Sequence, residues 1–185
     1  MLHIIGGPMF SGKTSYLIDT VSKLASGTYQ LYKPALDTRY AIDECVTHDG
    51  LKIPALNLTT EQPDFSSLPP SVTTILLDEL NFFNPEIIIP VLQAELKQGR
   101  DFIGAGLLLD SKRQPFGATL PLSQQADTFT QLFAICDNCQ QQAEFNYSKV
   151  IIKGQLLLGA SEAYGACCEN CWPIYQDLAT TQIYK

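Results

Sequence analysis

Between Gly7 and Thr14 the chain reads Gly-Pro-Met-Phe-Ser-Gly-Lys-Thr, directly after the apolar opening Met1-Leu2-His3-Ile4-Ile5. The spacing G-x-x-x-x-G-K-T behind a short buried strand is that of a loop that grips phosphates. Backbone N–H groups along Gly7, Met9, Phe10, Ser11 and Gly12 can turn inward around the β- and γ-phosphates, and the helix that must follow offers its positive end to the same anion. Lys13 then reaches those phosphates while Thr14 holds a magnesium ion. These residues predict a nucleoside triphosphate as ligand. The alternative is a Gly/Ser-rich turn that happens to precede a lysine.

A second cluster able to do chemistry is Asp78-Glu79, at the carboxyl end of the run Val72-Thr73-Thr74-Ile75-Leu76-Leu77. Such a β-branched apolar run reads as a central parallel strand, and in open α/β sheets ligands gather beyond that end. Phosphoryl transfer is mostly positioning and charge neutralisation, so Asp78 is the expected anchor for magnesium. Strand alternation turns Glu79 the other way, toward an acceptor hydroxyl whose proton it can take. The competing reading is that both carboxylates merely cap the helix that follows Asn84-Pro85. Phe82, Phe83, Phe116 and Tyr164 are rings that can sandwich a flat heterocycle, although each alone is as readily core. Gly159, Ser161 and Tyr164 can present backbone groups to the edge of a base, or form a plain hairpin turn.

Six cysteines offer a different chemistry. Cys136-Asp137-Asn138-Cys139 and Cys168-Glu169-Asn170-Cys171 are two C-x-x-C pairs with 28 residues between them. Two knuckles whose four thiolates converge predict a structural zinc site at Cys136, Cys139, Cys168 and Cys171. An unmetallated or redox-active pair is the alternative. Cys45 and Cys167 stand apart.

These groups need a scaffold that alternates strands and helices. The pattern predicts a strand over Leu2 to Gly6, a helix from Lys13 to about Ser26 closed by Gly27, and a strand from Tyr29 to Lys33. It continues with a short strand over Ile53 to Leu58, the strand ending at Leu77, a helix from about Glu86 to Gln98 and a strand from Asp101 to Leu109. A helix over Gln124 to Phe133 then leads to the first knuckle. The fold class is therefore α/β, a parallel sheet with helices on both faces over residues 1–133, with a zinc-knuckle subdomain over 134–185.

Composition bounds the partners. At 185 residues and 45% apolar, the chain can bury one proper core and a small appended module. Its net charge of −7 is a poor match to a long phosphate backbone, which argues against nucleic acid. Met1 to Ile5 lacks the pattern of an export signal and no apolar stretch is long enough to span a bilayer, so a cytoplasmic chain without membrane contact is predicted.

Taken in order, Gly7 to Thr14, Tyr32-Lys33-Pro34, Asp37-Thr38-Arg39-Tyr40, Thr47-His48-Asp49-Gly50, Asp78-Glu79 with Phe82-Phe83, Arg113 with Pro115-Phe116-Gly117, and the two cysteine pairs resemble one family. They look like the type II thymidine kinases, the small zinc-bearing class, from residue 2 to about residue 172. The resemblance implies a RecA-like P-loop domain, a zinc subdomain and a lasso loop that closes over the deoxynucleoside. It assigns ATP and magnesium to Lys13, Thr14 and Asp78, and the base that activates the 5′-hydroxyl of thymidine to Glu79. It places Asp37 and Arg39 near the phosphoryl acceptor and Met9, Phe82, Leu107 and Phe116 around the thymine. The lasso corresponds to residues 146–163, with Tyr164 beside the sugar, and a homo-oligomer, dimer or tetramer, is implied.

The chain departs from that pattern at several positions. Asn81 replaces a glutamine, Ser111 stands where a pocket phenylalanine is usual, and Leu108-Leu109 replace more polar residues. Ser148 replaces an arginine, and Ala160 the second glycine of the lasso. Loss of the ring at Ser111 removes about 3 kcal/mol of packing if nothing refills the space. Besides thymidine phosphorylation, a kinase for another deoxynucleoside and a nucleotide-binding regulator without turnover are therefore kept as readings.

Overall fold

A computed structural model describes residues 1–36, 44–46, 52–150 and 163–175. Six strands form one parallel sheet: β1 (Leu2–Gly6), β2 (Tyr29–Pro34), β5 (Leu56–Leu58), β6 (Thr74–Leu77), β7 (Asp101–Gly106) and β8 (Thr128–Gln131). Their order across the sheet is β5-β2-β6-β7-β1-β8, so β7 lies between β1, which feeds the Gly7–Thr14 loop, and β6, which feeds Asp78. The short hairpin of β3 (Glu44–Val46) and β4 (Lys52–Pro54) stands apart from this sheet.

The central strands β1, β6 and β7 are nearly continuous apolar runs because both faces are covered. Successive residues of β1 point into different cores. Ile4 joins Ile75, Leu77 and Phe102 beneath Ile88 and Leu92 of helix α2 (Pro85–Lys97) and Leu122 of helix α3 (Thr119–Ser123). Ile5 joins Leu31, Leu76 and Ile103 beneath Leu17 and Val21 of helix α1 (Lys13–Ser22). The carboxyl ends of the central strands thus open on a rim that carries the Gly7–Thr14 loop and Asp78-Glu79.

The structure corrects several boundaries. Helix α1 ends at Ser22, and Gly27 (φ 80°) belongs to the turn entering β2, not to a helix cap. Ile53 to Leu58 is divided between β4 and β5, which lie in different sheets. Strand β2 runs through Pro34, which pairs with Leu58. Strand β6 begins at Thr74, and the N–H groups of Thr73 and Thr74 both go to the Thr28 carbonyl in the turn before β2.

Strand β7 stops at Gly106 because the Leu107 N–H turns to the side-chain oxygen of Asn81, 2.9 Å away. The predicted helix over Gln124 to Phe133 is instead the edge strand β8, and the helix lies earlier, at Thr119–Ser123. Thr128, Phe129 and Thr130 are β-branched or aromatic, and the edge beside β1 takes them in parallel register, with Ile5 opposite Thr130. Helix α2 starts as expected: Asn84 accepts the Glu86 N–H at 3.0 Å and Pro85 takes the first turn. Asn84 therefore provides the cap that was considered for Asp78 and Glu79.

The cysteine segments build a third core. Strands β9 (Ala134–Ile135) and β10 (Gln142–Ala143) form one hairpin, and β11 (Phe145–Ser148) pairs with β12 (Tyr164–Cys167) in another ribbon. Phe145, Tyr147, Cys167 and Trp172 are buried between them, with Leu109 packed alongside.

Candidate active site

The Gly7–Thr14 loop is held from beneath and pinned across its mouth. A Cβ on Gly7 would lie 2.5 Å from the Leu132 carbonyl oxygen, so only glycine lets the loop sit against that backbone. Phe10 (φ 65°) and Gly12 (φ 82°) supply the left-handed turns that curl it. Ser11 Oγ and Lys13 Nζ both donate to the Pro8 carbonyl, at 2.8 and 2.6 Å. Helix α1 follows with no acidic residue of its own in its first turn, and its positive end faces the loop.

Asp78 meets this loop from the end of β6. Thr14 Oγ1 donates to Oδ2 at 2.8 Å, and the Glu79 N–H donates to Oδ1 at 2.9 Å. Burial and then the neighbouring Glu79 charge push the Asp78 carboxyl up to about 6, against the opposing pull of Thr14, the Glu79 N–H and Lys13. A hydroxyl and a buried carboxylate at this distance are a donor set suited to a divalent cation with water ligands, such as magnesium.

Glu79 does sit beside Asp78, but strand alternation is not what aims it. The chain leaves the extended conformation there: Glu79 has φ 54° and ψ 45°, at the start of a 3-10 turn over Leu80–Phe82. Asn81, 1% exposed, spans from that turn to Leu107, and its backbone carbonyl lies so close to Gly117 that a Cβ there would meet it at 2.1 Å. Phe82 packs edge-on against Phe116 at 6.0 Å, with Leu107 and Phe116 buried nearby. Phe83 belongs to the core beneath α2. Asp37, Arg39, Gly159 and Ser161, with most of the expected lasso, lie outside the described residues. Tyr164 is 2% exposed at the start of β12, opposite Ser148.

The four knuckle cysteines converge. The sulfurs of Cys136, Cys139, Cys168 and Cys171 all lie within 4.8 Å of one another. Burial pushes the Cys136 thiol up, but N–H groups of Cys139, Cys168 and Asn138 and the Cys139 thiol outweigh it and hold it down to about 6. Asn138 Nδ2 donates to the Cys171 sulfur at 3.2 Å. Four sulfurs at this spacing, with N–H donors stabilising thiolate, fit a tetrahedral zinc ion. Cys167 is buried and points into the module core, where burial and the neighbouring sulfur charges push its thiol up to about 12.

Two contacts tie this module to the rim. Asn146 accepts the Met9 N–H, and Arg113 binds Glu169 through both guanidinium nitrogens, at 2.9 and 2.7 Å, while lying 3.9 Å over the Phe145 ring. The position of Glu169 between Cys168 and Cys171 was the one available hint for the second contact.

Comparison with known proteins fits this geometry. The family described as thymidine kinase matches residues 1–172. The thymidine kinase of Porphyromonas gingivalis strain W83 is 33% identical over 173 residues, covering 92% of this chain and 84% of that protein. That of Mesomycoplasma hyopneumoniae strain 7448 is 34% identical over 174 residues, covering 92% and 94%. The chain belongs to the thymidine kinase family. Its four-cysteine cluster makes it a zinc-containing, type II thymidine kinase family member. Among the described residues of this thymidine kinase family chain, no helix is long and apolar enough to cross a membrane.

Proposed function

We propose that this chain transfers the γ-phosphoryl of ATP to the 5′-hydroxyl of thymidine, with Glu79 as the general base. The reading rests on one observation: the Thr14–Asp78 hydrogen bond joins the Gly7–Thr14 loop to the end of β6, and Glu79 turns out of the chain at that junction. In this reading the loop is a P-loop on a RecA-like sheet, since one strand separates its parent β1 from β6. Lys13 and the loop amides of Gly7, Phe10, Ser11 and Gly12 bind the triphosphate, Met9 keeps its place in the loop with its own N–H held by Asn146, and Thr14 and Asp78 hold magnesium. The ion neutralises charge between the β- and γ-phosphates.

Glu79 draws the proton from the 5′-oxygen as the phosphoryl group moves in line to it. Met9, Phe82, Leu107 and Phe116 wall the thymine, Asp37 and Arg39 flank the acceptor, and the lasso with Gly159, Ser161 and Tyr164 closes over the nucleoside and excludes water. Residues 134–185 act as the zinc-bearing subdomain that carries this lasso, and the working form is a dimer or tetramer in the cytoplasm.

The test is Glu79→Gln, assayed for MgATP affinity and for the monophosphate product. Affinity stays within about threefold, while turnover falls by about 10²–10⁴, the usual worth of a positioned base. Unchanged turnover would remove Glu79 from that role. Ser111 favours checking a second reading, a different deoxynucleoside as acceptor. It lies in a tight turn organised by Asp110, which accepts the Lys112 and Gln114 N–H groups at 2.8 and 2.9 Å. A panel of deoxynucleosides under the same assay separates the two acceptors.

A further inference from the structure

Asn146, the second residue of β11, is 4% exposed and directs both polar atoms of its side chain away from its own ribbon. Oδ1 accepts the Met9 N–H at 2.6 Å, and Nδ2 donates to the Leu109 carbonyl at 3.1 Å. Met9 is part of the loop after β1, and Leu109 lies in the segment after β7. One amide therefore ties two rim segments to the cysteine module, beside a small cavity of about 140 Å³ lined by Gly7, Pro8, Leu108, Leu109 and Asn146 among others.

The other side of Asn146 leads directly to the sulfur cluster. Across the ribbon Asn146 is in register with Ala166, and two residues further along the chain lies Cys168. The Ala166 carbonyl also accepts the Asp137 N–H at 3.0 Å, which ties the first knuckle to the same point. Gly165 makes room for this arrangement, since a Cβ there would lie 2.3 Å from Asp137 Oδ2 and 2.4 Å from the Tyr147 ring.

We propose that Asn146 is a positioning residue that fixes the Met9 amide and so passes the order of the four-cysteine module to the Gly7–Thr14 loop. The consequence for nucleotide affinity rests on reading that loop as the phosphate site; the mechanical link does not. An amide that accepts from one loop and donates to another fixes both segments at once. Its truncation leaves the Met9 N–H and the Leu109 carbonyl without partners, and the loop, curled through Phe10 and Gly12 in left-handed conformations, loses the contact that anchors its third residue.

The experiment is hydrogen exchange read by mass spectrometry on the zinc-loaded full chain, following the peptide that contains residues 7–14. In Asn146→Ala this peptide exchanges about tenfold faster than in the wild type, and MgATP binds about tenfold more weakly by titration, while zinc stays bound. A zinc chelator accelerates exchange of the same peptide in the wild type and adds little in Asn146→Ala. Asn146→Ser, which keeps an acceptor, falls between the two. Equal exchange of the 7–14 peptide in wild type and Asn146→Ala, or no response of that peptide to chelation, overturns the proposal. Should Asn146→Ala not fold, Asn146→Ser carries the comparison, and wild-type exchange of its 7–14 peptide overturns the proposal. Faster exchange with unaltered MgATP affinity preserves the link and removes the phosphate reading of the loop instead.

Discussion

Replacing Asp78 by Asn should make the nucleotide-free protein more stable at neutral pH and abolish its response to MgATP. The carboxyl of Asp78 is buried and pushed up to about 6 from an ordinary 3.8, first by that burial and then by the Glu79 charge. Between those two values the folded chain binds the proton that the unfolded chain has already released. Stability therefore falls as pH rises through this window and levels off above about pH 6. The ionised carboxylate then costs about 3 kcal/mol relative to the protonated one.

Asparagine keeps the shape without the charge. Its oxygen can accept the Glu79 N–H, and its NH₂ can donate to Thr14 Oγ1, because a hydroxyl both donates and accepts. A gain approaching 3 kcal/mol corresponds to a rise in Tm of about 6–12 °C for a chain of this size. The assay is thermal unfolding of wild type and Asp78→Asn from pH 4 to pH 8, with and without MgATP. The gap should be full at pH 7.5, about half at pH 5 and nearly absent at pH 4. MgATP should raise Tm only in the wild type. A gap that does not change with pH, or a variant less stable at pH 7.5, refutes the claim that this carboxylate is held at a cost for the sake of a cation.

The remaining predictions concern the glycine under the loop, the sulfur cluster and the clamp beside it. Gly7→Ala places a Cβ 2.5 Å from the Leu132 carbonyl oxygen, so denaturant unfolding should show a loss of about 1–3 kcal/mol and MgATP titration a marked loss of affinity. Metal analysis should give one zinc per wild-type chain and far less in Cys139→Ser, with Trp172 emission shifting as the module core opens; full metal retention removes Cys139 from the ligand set. Arg113→Lys gives up the two-pronged contact with the exposed Glu169 and the stacking on Phe145, and should lower module stability by about 1 kcal/mol in a melt followed at Trp172.

What the sequence revealed follows from what is local. The Gly7–Thr14 spacing, the cysteine pairs and the apolar run before Asp78 are short-range signals, and the structure joins Thr14 to Asp78 and gathers the four cysteine sulfurs within 4.8 Å of one another. Several of the failures are effects of distant partners. Thr128 to Gln131 is a strand because β1 offers an open edge, information that lies more than a hundred residues away in the chain. Asp101 to Leu109 was read as one strand because Leu107, Leu108 and Leu109 are apolar, yet the Asn81 side chain captures the Leu107 N–H and ends the ladder at Gly106. In the sequence Asn146 is only the first residue of the loop implied over residues 146–163, yet it lies on strand β11. Only the fold shows that its side chain is buried between two loops, where an amide has both a donor and an acceptor to satisfy.

Glu79 illustrates the same lesson at the centre of the site. Its place was inferred from alternation along a strand, but the strand has already ended at Leu77. Asp78 accepts the Glu79 N–H, and Glu79 then takes a left-handed conformation that costs a non-glycine residue about 1–2 kcal/mol. The turn persists because its next residues are locked. Phe82 and Phe83 donate N–H groups back to Glu79 and Leu80 at 3.0 and 3.1 Å, and the side chains of Leu80 and Phe83 are buried in the core. Gly104 on β7 leaves the space that Leu80 fills, since a Cβ there would lie 2.3 Å from Leu80 Cδ1. A residue on a frayed strand end would swing freely; this one is carried on a turn seated in the core, beside a carboxylate that is itself held against its preference. Stability is given up at two adjacent residues and recovered from the packing of Leu80 and Phe83, the pattern expected where a fold holds reactive groups in fixed positions.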